Sequence, residues 1–151
     1  MIILYFFLWT FILYVCHRLA HRVSFLWYYH QDHHLQISMS TNKGLHWSNY
    51  FLFFDSWKST VDQWLIEIIP TILLCLIIQD YTLLCFYYVW AVFIQEKIEH
   101  NYNFNIYPLL TSGKWHMIHH KYYNKNYGVF ISIWDIIFNT SLTSQGKWIK
   151  I

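Results

Sequence analysis

The chain has 151 residues, of which 56% are hydrophobic, 23% aromatic and only 12% charged. Soluble domains carry roughly 25% charged residues, so this composition excludes a disordered tail and argues against an ordinary soluble domain. A net charge of +2, spread over scattered basic residues, is too small for a surface that follows nucleic-acid phosphates, and no nucleic-acid partner is expected. The length allows one domain.

The first predicted element is a membrane helix that begins at the N-terminus. Residues 1–16 are apolar or aromatic apart from Thr10, with no basic region before them and no cleavage site of small residues after them. These features favour a retained anchor over a cleaved signal peptide. Because a span needs roughly 20 residues, the helix is expected to continue through the next turn, which contains His17 and Arg18.

The next predicted elements are an interfacial helix and a helical hairpin. The aromatic residues of 49–64 are mixed with Asp55, Lys58 and Asp62, as in a helix that lies along a membrane surface. Two apolar runs follow, 64–78 and 81–94, separated only by Gln79 and Asp80. Both are short for a full span, so either the hairpin enters only part of the bilayer or its helices extend at the near end. The sequence therefore predicts an all-α integral membrane helical bundle with about three membrane helices, or one span plus a hairpin.

Charge predicts the orientation of this bundle. In the predicted topology all basic residues and all histidines lie on the same side of the membrane, and the opposite side has none. Lys and Arg collect on cytoplasmic flanks. We therefore expect a histidine-rich helical cap on the cytosolic side.

Histidine is the residue type that carries the chemistry. An H-x-x-x-H pair is followed by two H-x-x-H-H boxes, and on a helix the positions i, i+3 and i+4 share a face, so each box is expected to present three imidazoles to one point. Eight imidazoles exceed what one tetrahedral ion uses, which predicts two metal ions. The eight are His17, His21, His30, His33, His34, His116, His119 and His120. His100, at the end of the third apolar run, is a further candidate ligand, whereas a structural role is favoured for His46.

Four carboxylates accompany the histidines. Glu96 lies one helical turn before His100 and is a candidate ligand, and Asp32 and Glu99 are candidates to orient imidazoles. Glu67, an acid inside the hairpin, either faces a substrate cavity or extends to the membrane surface. Imidazole suits iron, zinc and copper alike, so the residues alone leave the metal open.

Four segments together resemble the fatty acid hydroxylase/sterol desaturase superfamily of membrane di-iron enzymes. They are HRLAH at 17–21, LWYYHQDHH at 26–34, EHNYNFN at 99–105 and the stretch 116–140, in which a histidine box is followed by N-Y-G and W-D. The resemblance implies a four-helix transmembrane core with a cytosolic dimetal centre, in the endoplasmic reticulum or an equivalent internal membrane. It also implies hydroxylation or desaturation of a lipid by O2, with two iron ions as cofactor, zinc as their substitute in a purified sample, and a cytochrome b5-type protein or a reductase as electron donor.

The resemblance also assigns residues. The eight box histidines match family ligands, and His100 matches an additional histidine upstream of the third box. Glu96 stands where some members have another histidine, His46 stands where members often carry one after the second box, and Asp135 matches the acid of W-D. Residues 1–151 are thus expected to form a single fatty acid hydroxylase-like membrane domain, shortened by about two N-terminal helices. Self-association into a homo-oligomer would replace the missing helices.

Two other functions compete with this expectation. The first is a non-catalytic membrane protein, descended from the same family, that binds metal or acts as a scaffold. The second is an electron carrier with a bis-histidine haem, which uses one histidine pair and leaves the H-x-x-H-H boxes unexplained. Within the enzyme hypothesis, the substrate is a sterol, a ceramide, a fatty acyl chain or an aldehyde, and EHNYNFN leans toward the sterol branch.

Overall fold

The computed structural model describes residues 1–36, 46–54, 56–95, 98–99, 101, 103, 110–111 and 113–142. These residues form an all-α protein. Its helices are α1 (Ile2–Ala20), α2 (Ser24–Gln36), α3 (Trp57–Ile78), α4 (Thr82–Gln95), α5 (Lys114–Lys121) and α6 (Ile133–Ile137), with a 3₁₀ turn at Trp47–Phe51.

Two helices, α1 and α3, are long and apolar enough to cross a membrane. Helix α1 has 19 residues, which at 1.5 Å per residue is about the thickness of a bilayer's hydrocarbon core. It includes His17 and Arg18, as the sequence predicts, and ends at Ala20 with His21 as its C-cap. Helix α4 is shorter and apolar. Length and composition thus support two spans, and the hairpin of α3 and α4 is confirmed as a pair of successive helices around Gln79.

Helix α3 extends at its near end, which is one of the two alternatives that the sequence leaves open for the hairpin. The predicted interfacial helix over residues 49–64 is wrong: its first part is the 3₁₀ turn, and its last part is the first turns of α3. The hydroxyl of Ser56 accepts a hydrogen bond from the Ser59 N–H and caps the helix, a local signal stronger than the aromatic pattern. The residue Gln79 ends α3 in the left-handed conformation.

A π-helical turn at Trp64–Ile68 widens the middle of α3. Pro70 lies just beyond it and has no N–H to donate, and its ring displaces the carbonyl one turn earlier. The Thr71 hydroxyl then donates to the carbonyl of Glu67. A second π-helical segment, Trp90–Gln95, ends α4. Such turns re-aim side chains and often occur at functional sites.

Buried aromatic residues hold the bundle together. The indole of Trp9 on α1 donates to the Thr71 hydroxyl on α3 at 2.8 Å and stacks near Phe130. On the C-terminal part of the chain, the indole of Trp134 donates to Thr10. These contacts fix α3 and the segment around α6 against α1, so that the end of α1, the start of α3 and the end of α4 lie together.

Candidate metal centre

Eight imidazoles converge into two adjoining groups at that end of the bundle. Within each group, the nitrogen atoms that could bind a metal lie within 4.8 Å of one another. The five-histidine group consists of His17, His21, His30, His34 and His119, and the three-histidine group of His33, His116 and His120. The groups touch, since the rings of His34 and His120 are 4.2 Å apart.

Each H-x-x-H-H box is divided between the two groups, which corrects the expectation that a box presents three rings to one point. His30 and His34 belong to the five-histidine group, but His33 between them points to the other group. The third box divides in the same way, with His119 separated from its neighbours. On a helix, positions i+3 and i+4 lie about 100° apart on either side of position i. The three rings of one box can therefore reach two adjacent groups.

Backbone carbonyls orient two rings of the five-histidine group. The Nδ1 of His17 lies 2.8 Å from the Tyr127 carbonyl, and the Nδ1 of His119 lies 2.6 Å from the Lys125 carbonyl. Because a carbonyl only accepts, each Nδ1 carries the hydrogen and each Nε2 keeps its lone pair. The Nε2 of His17 is buried without a hydrogen-bond partner in the described part of the chain. A metal ion would satisfy that lone pair.

A carboxylate orients a third ring. The Nδ1–H of His30 donates to Asp62 Oδ2 at 2.9 Å, and both side chains are almost fully buried. Such a partner fixes the tautomer and raises the basicity of the ligand nitrogen. Asp62 is not among the site residues predicted from the sequence, because it lay in the predicted interfacial helix. The signal that could have predicted Asp62 as a partner of a histidine is its position on the face of α3 that meets α2. That face can be assigned only when the start of α3 is known.

The separations between Nε2 atoms fit a metal ion in the five-histidine group. Bonds of about 2.1 Å place two ligand nitrogens about 3.0 Å apart at a right angle and about 3.4 Å apart at the tetrahedral angle. The Nε2 of His21 lies 3.0 Å from that of His30, 3.1 Å from that of His119 and 3.3 Å from that of His34. The residues present therefore fit a metal.

The three-histidine group has similar separations, with a shorter one of 2.7 Å between the Nε2 atoms of His116 and His120, and it adds a carboxylate. The Nε2 of His33 lies 3.1 Å from that of His116 and 3.1 Å from that of His120. Glu99 Oε1 lies 3.7 Å from the Nε2 of His116. Glu99 was expected to orient an imidazole, and the structure places it beside one.

Burial keeps the imidazoles of His21, His30, His119 and His120 neutral, which is the form that binds metal. It lowers the pKa of His21 to about 2, with His17 and His34 adding to the effect. Burial likewise lowers the pKa of His30, His119 and His120. Protons and metal compete for the same lone pair, so a site whose rings resist protonation loads metal over a wider pH range.

We expect the metal-free protein to lose stability as the pH falls below about 6.5. Histidines in the unfolded chain take up protons near that pH. In the folded chain His21, His119 and His120 stay neutral, so the unfolded state binds more protons. The free energy of unfolding then drops by up to about 1.4 kcal/mol per pH unit for each of them. Denaturation at pH 7.5 and 5.5 would measure the drop, and His21→Ala should reduce it. An unfolding free energy independent of pH would contradict this prediction.

Asp135 holds the loop that supplies both carbonyls. Its side chain is fully buried, and its two oxygens accept the N–H groups of Tyr127 and Gly128, both at 2.8 Å. The hydroxyl of Thr140 adds a third hydrogen bond at 2.7 Å. A Cβ added to Gly128 would come within 2.6 Å of the Ile131 carbonyl oxygen, so only glycine fits here. Asp135, the acid of the W-D motif, thus positions the histidines indirectly, through the backbone carbonyls of this loop.

The remaining candidates from the sequence lie elsewhere. Asp32 accepts hydrogen bonds from the hydroxyls of Ser56 and Ser59 and thereby ties α2 to the start of α3. His46 is exposed and caps the 3₁₀ turn through its contact with Ser48, away from both groups. The candidates Glu96 and His100 lie outside the described residues.

Two cavities lie in the described part of the bundle, and one of them adjoins the histidines. A polar cavity of about 20 Å³ is bordered by members of both groups, including His17 and His116, and by Glu67. An apolar groove of about 410 Å³ lies between α3 and α4, where Trp64, Ile72 and Leu84 line it. Its volume is within the usual range of small-molecule pockets.

Comparison with known proteins agrees with this geometry. Residues 2–140 match the family model described as fatty acid hydroxylase. No curated protein and no solved structure matches the chain. Because the match spans all eight grouped histidines and nearly the whole chain, the protein belongs to the fatty acid hydroxylase family, within the fatty acid hydroxylase/sterol desaturase superfamily.

Proposed function

We propose that the chain is a membrane-bound, O2-dependent lipid hydroxylase or desaturase with a dimetal centre. The observation that carries this proposal is the division of eight imidazoles, six of them buried, into two touching groups with metal-ligand spacing. A structural zinc site closes around one ion, whereas two adjacent metal sites are typical of a catalytic centre in which both ions act on one substrate.

The five-histidine group would hold one ion and the three-histidine group the other. Iron is the metal we propose, with zinc as its substitute in a purified sample, because the bound pair must supply the O2 activation that side chains lack. The chain's own residues set the ligand geometry. The carbonyls of Tyr127 and Lys125 and the carboxylate of Asp62 each lock one ring, so little reorganisation is needed when metal binds.

The surrounding side chains exclude water and admit hydrocarbon. The rings of Trp27, Tyr123 and Tyr127 pack against His21 and cover the five-histidine group. On the membrane side, the apolar groove between α3 and α4 offers hydrocarbon a binding surface without any polar group to desolvate. A lipid in that groove would approach the histidines from within the bilayer.

The proposal includes an orientation and partners. The basic residues follow the spans, as on the cytosolic flank of a membrane protein, so we place the histidines on the cytosolic side of the endoplasmic reticulum or an equivalent membrane. A cytochrome b5-type protein or a reductase would deliver electrons there. A second copy of the chain is a further partner that we propose.

Oxygen consumption tests the proposal. The full chain, extracted in mild detergent and loaded with Fe(II), is expected to bind about two metal ions per chain. With reductant and a mixed lipid extract, it should consume O2 and add one oxygen atom or one double bond to a lipid, as mass spectrometry would detect. The matched control is His46→Ala, which changes a histidine outside both groups. Tight zinc binding without O2 consumption by the iron-loaded chain would instead support the metal-binding scaffold.

A further inference from the structure

Two aromatic rings connect the candidate metal ligands with the surface of the protein. The ring of Tyr123 packs against that of His34, with 4.7 Å between the ring centroids, and the ring of Trp27 packs against that of His21 at 5.2 Å. The two aromatic rings also contact each other at 5.8 Å, and we call them the Trp27–Tyr123 pair. Trp27 is half-buried and Tyr123 is 48% exposed, so the pair leads from the histidines to solvent.

The Trp27–Tyr123 pair is in contact with both histidine groups through His34. Both rings of the pair pack against His34, since Trp27 lies 5.7 Å from it. His34 belongs to the five-histidine group, and its ring lies 4.2 Å from that of His120 in the three-histidine group. A continuous series of ring contacts therefore joins solvent to both candidate metal sites.

The neighbouring tyrosines lack one of the two properties that the pair combines. Tyr127 packs against three members of the five-histidine group but is only 4% exposed, and Tyr14 beyond it is 1% exposed. Tyr122 is 39% exposed and contacts Lys121, but it packs against no histidine in the described part of the chain. Contact with the histidines and access to solvent thus come together at Tyr123.

The side-chain chemistry of the pair suits the transfer of single electrons. Tryptophan and tyrosine are the aromatic side chains that give up an electron most readily, whereas phenylalanine is very hard to oxidise. A site that activates O2 also has to limit side reactions. When no lipid C–H bond is in place, the groups nearest to an oxidant at the metal centre are the ligand imidazoles themselves. Rings that give up an electron first would protect them.

Resting on the function proposed above, we propose that the Trp27–Tyr123 pair supplies electrons to an O2-derived oxidant that forms at the histidine groups in the absence of lipid. One electron passes from Tyr123, directly or through Trp27, to this oxidant. The phenol proton of Tyr123 goes to solvent water, which leaves a neutral tyrosyl radical. A soluble thiol then restores Tyr123 by giving one electron and one proton, and two of the resulting thiyl radicals join as a disulfide.

Chemical modification of the rings tests this inference without measuring turnover. The full chain, loaded with iron or with zinc and free of lipid substrate, would be treated with hydrogen peroxide as the oxidant. In the iron-loaded chain we expect a tyrosyl radical by electron paramagnetic resonance and added oxygen at Trp27 and Tyr123 by peptide mass spectrometry. Tyr122 should stay at the level of the zinc-loaded chain. If exposure alone decided the modification, Tyr122 and Tyr123 would be oxidised alike.

Phenylalanine variants separate electron transfer from packing, because they keep a ring in contact with the histidines. In the double variant Trp27→Phe, Tyr123→Phe we expect the radical signal to fall to that of the zinc-loaded chain. Added oxygen at His21 and His34 should rise, and the metal should be lost faster under peroxide. Equal metal content before peroxide is added would show that the variant is folded. Tyr122→Phe is the matched control and should behave like the unchanged chain.

The outcomes separate this inference from the proposed function. Equal oxidation of Tyr122 and Tyr123, the same pattern with zinc, or ligand oxidation unchanged in the double variant would each overturn the inference. O2-dependent turnover of a lipid would in those cases still support the enzyme. Iron-dependent oxidation of Trp27 and Tyr123 in a chain that consumes no O2 would support the electron route and overturn the enzyme.

Discussion

His116→Ala is expected to abolish metal binding at the three-histidine group and lower lipid turnover by at least about 100-fold. Among the described residues this group has His33, His116 and His120, so the variant leaves two imidazoles, too few to hold an ion firmly. Changes to residues that merely orient ligands already cost about 10–100-fold, which sets the lower bound. Metal analysis of the purified chain should show a fall from about two ions to about one.

The loss of one imidazole should weaken metal binding less in the five-histidine group than in the three-histidine group. His21→Ala leaves four imidazoles, so we expect the ion to remain with an affinity about 10–100-fold weaker, measured by competition with a chelator. His46→Ala removes an exposed histidine and should change neither metal content nor turnover. If His116→Ala retained two ions per chain, or if all three variants behaved alike, the division into two groups would be wrong.

Asp135→Asn is expected to destabilise the protein by about 3 kcal/mol and to weaken metal binding at the five-histidine group by about tenfold. Burial raises the pKa of Asp135 to about 6, so at pH 7 the carboxylate is ionised and both its oxygens accept. Asparagine turns one acceptor into a donor that faces the N–H of Tyr127 or Gly128. The loop then shifts and takes with it the carbonyl that orients His17.

Two measurements check the Asp135 prediction. Denaturation in detergent gives the free energy of unfolding, and chelator competition gives the metal affinity. Asp32→Asn is the matched control, because the Ser56 and Ser59 hydroxyls that Asp32 binds can rotate to suit an amide, and its cost should stay below about 1 kcal/mol. Equal costs for the two variants, or unchanged metal affinity in Asp135→Asn, would contradict the positioning role.

Much of the fold could be predicted because the bilayer imposes simple rules on sequence. The unbroken apolar residues before His17 predicted α1, and the runs around Gln79 predicted the hairpin of α3 and α4. The start of α3 was missed because a single cap, Ser56, outweighs an aromatic composition that also suits an interfacial helix. The two π-helical segments, which contain Glu67 and Gln95, depend on packing that periodicity does not record.

The sequence alone identified the candidate metal-binding histidines, because H-x-x-H-H spacing on a helix brings the rings close without any tertiary contact. Their division into groups of five and three was decided only by the packing of α1, α2 and α5, because each box reaches two points and neighbouring helices determine which ring meets which. Packing likewise decided where Asp62, the carbonyls of Tyr127 and Lys125, and the cavity beside Glu67 lie relative to the histidines. Residues far apart in the chain become partners only when the helices pack, and spacing along a single helix carries no information about them.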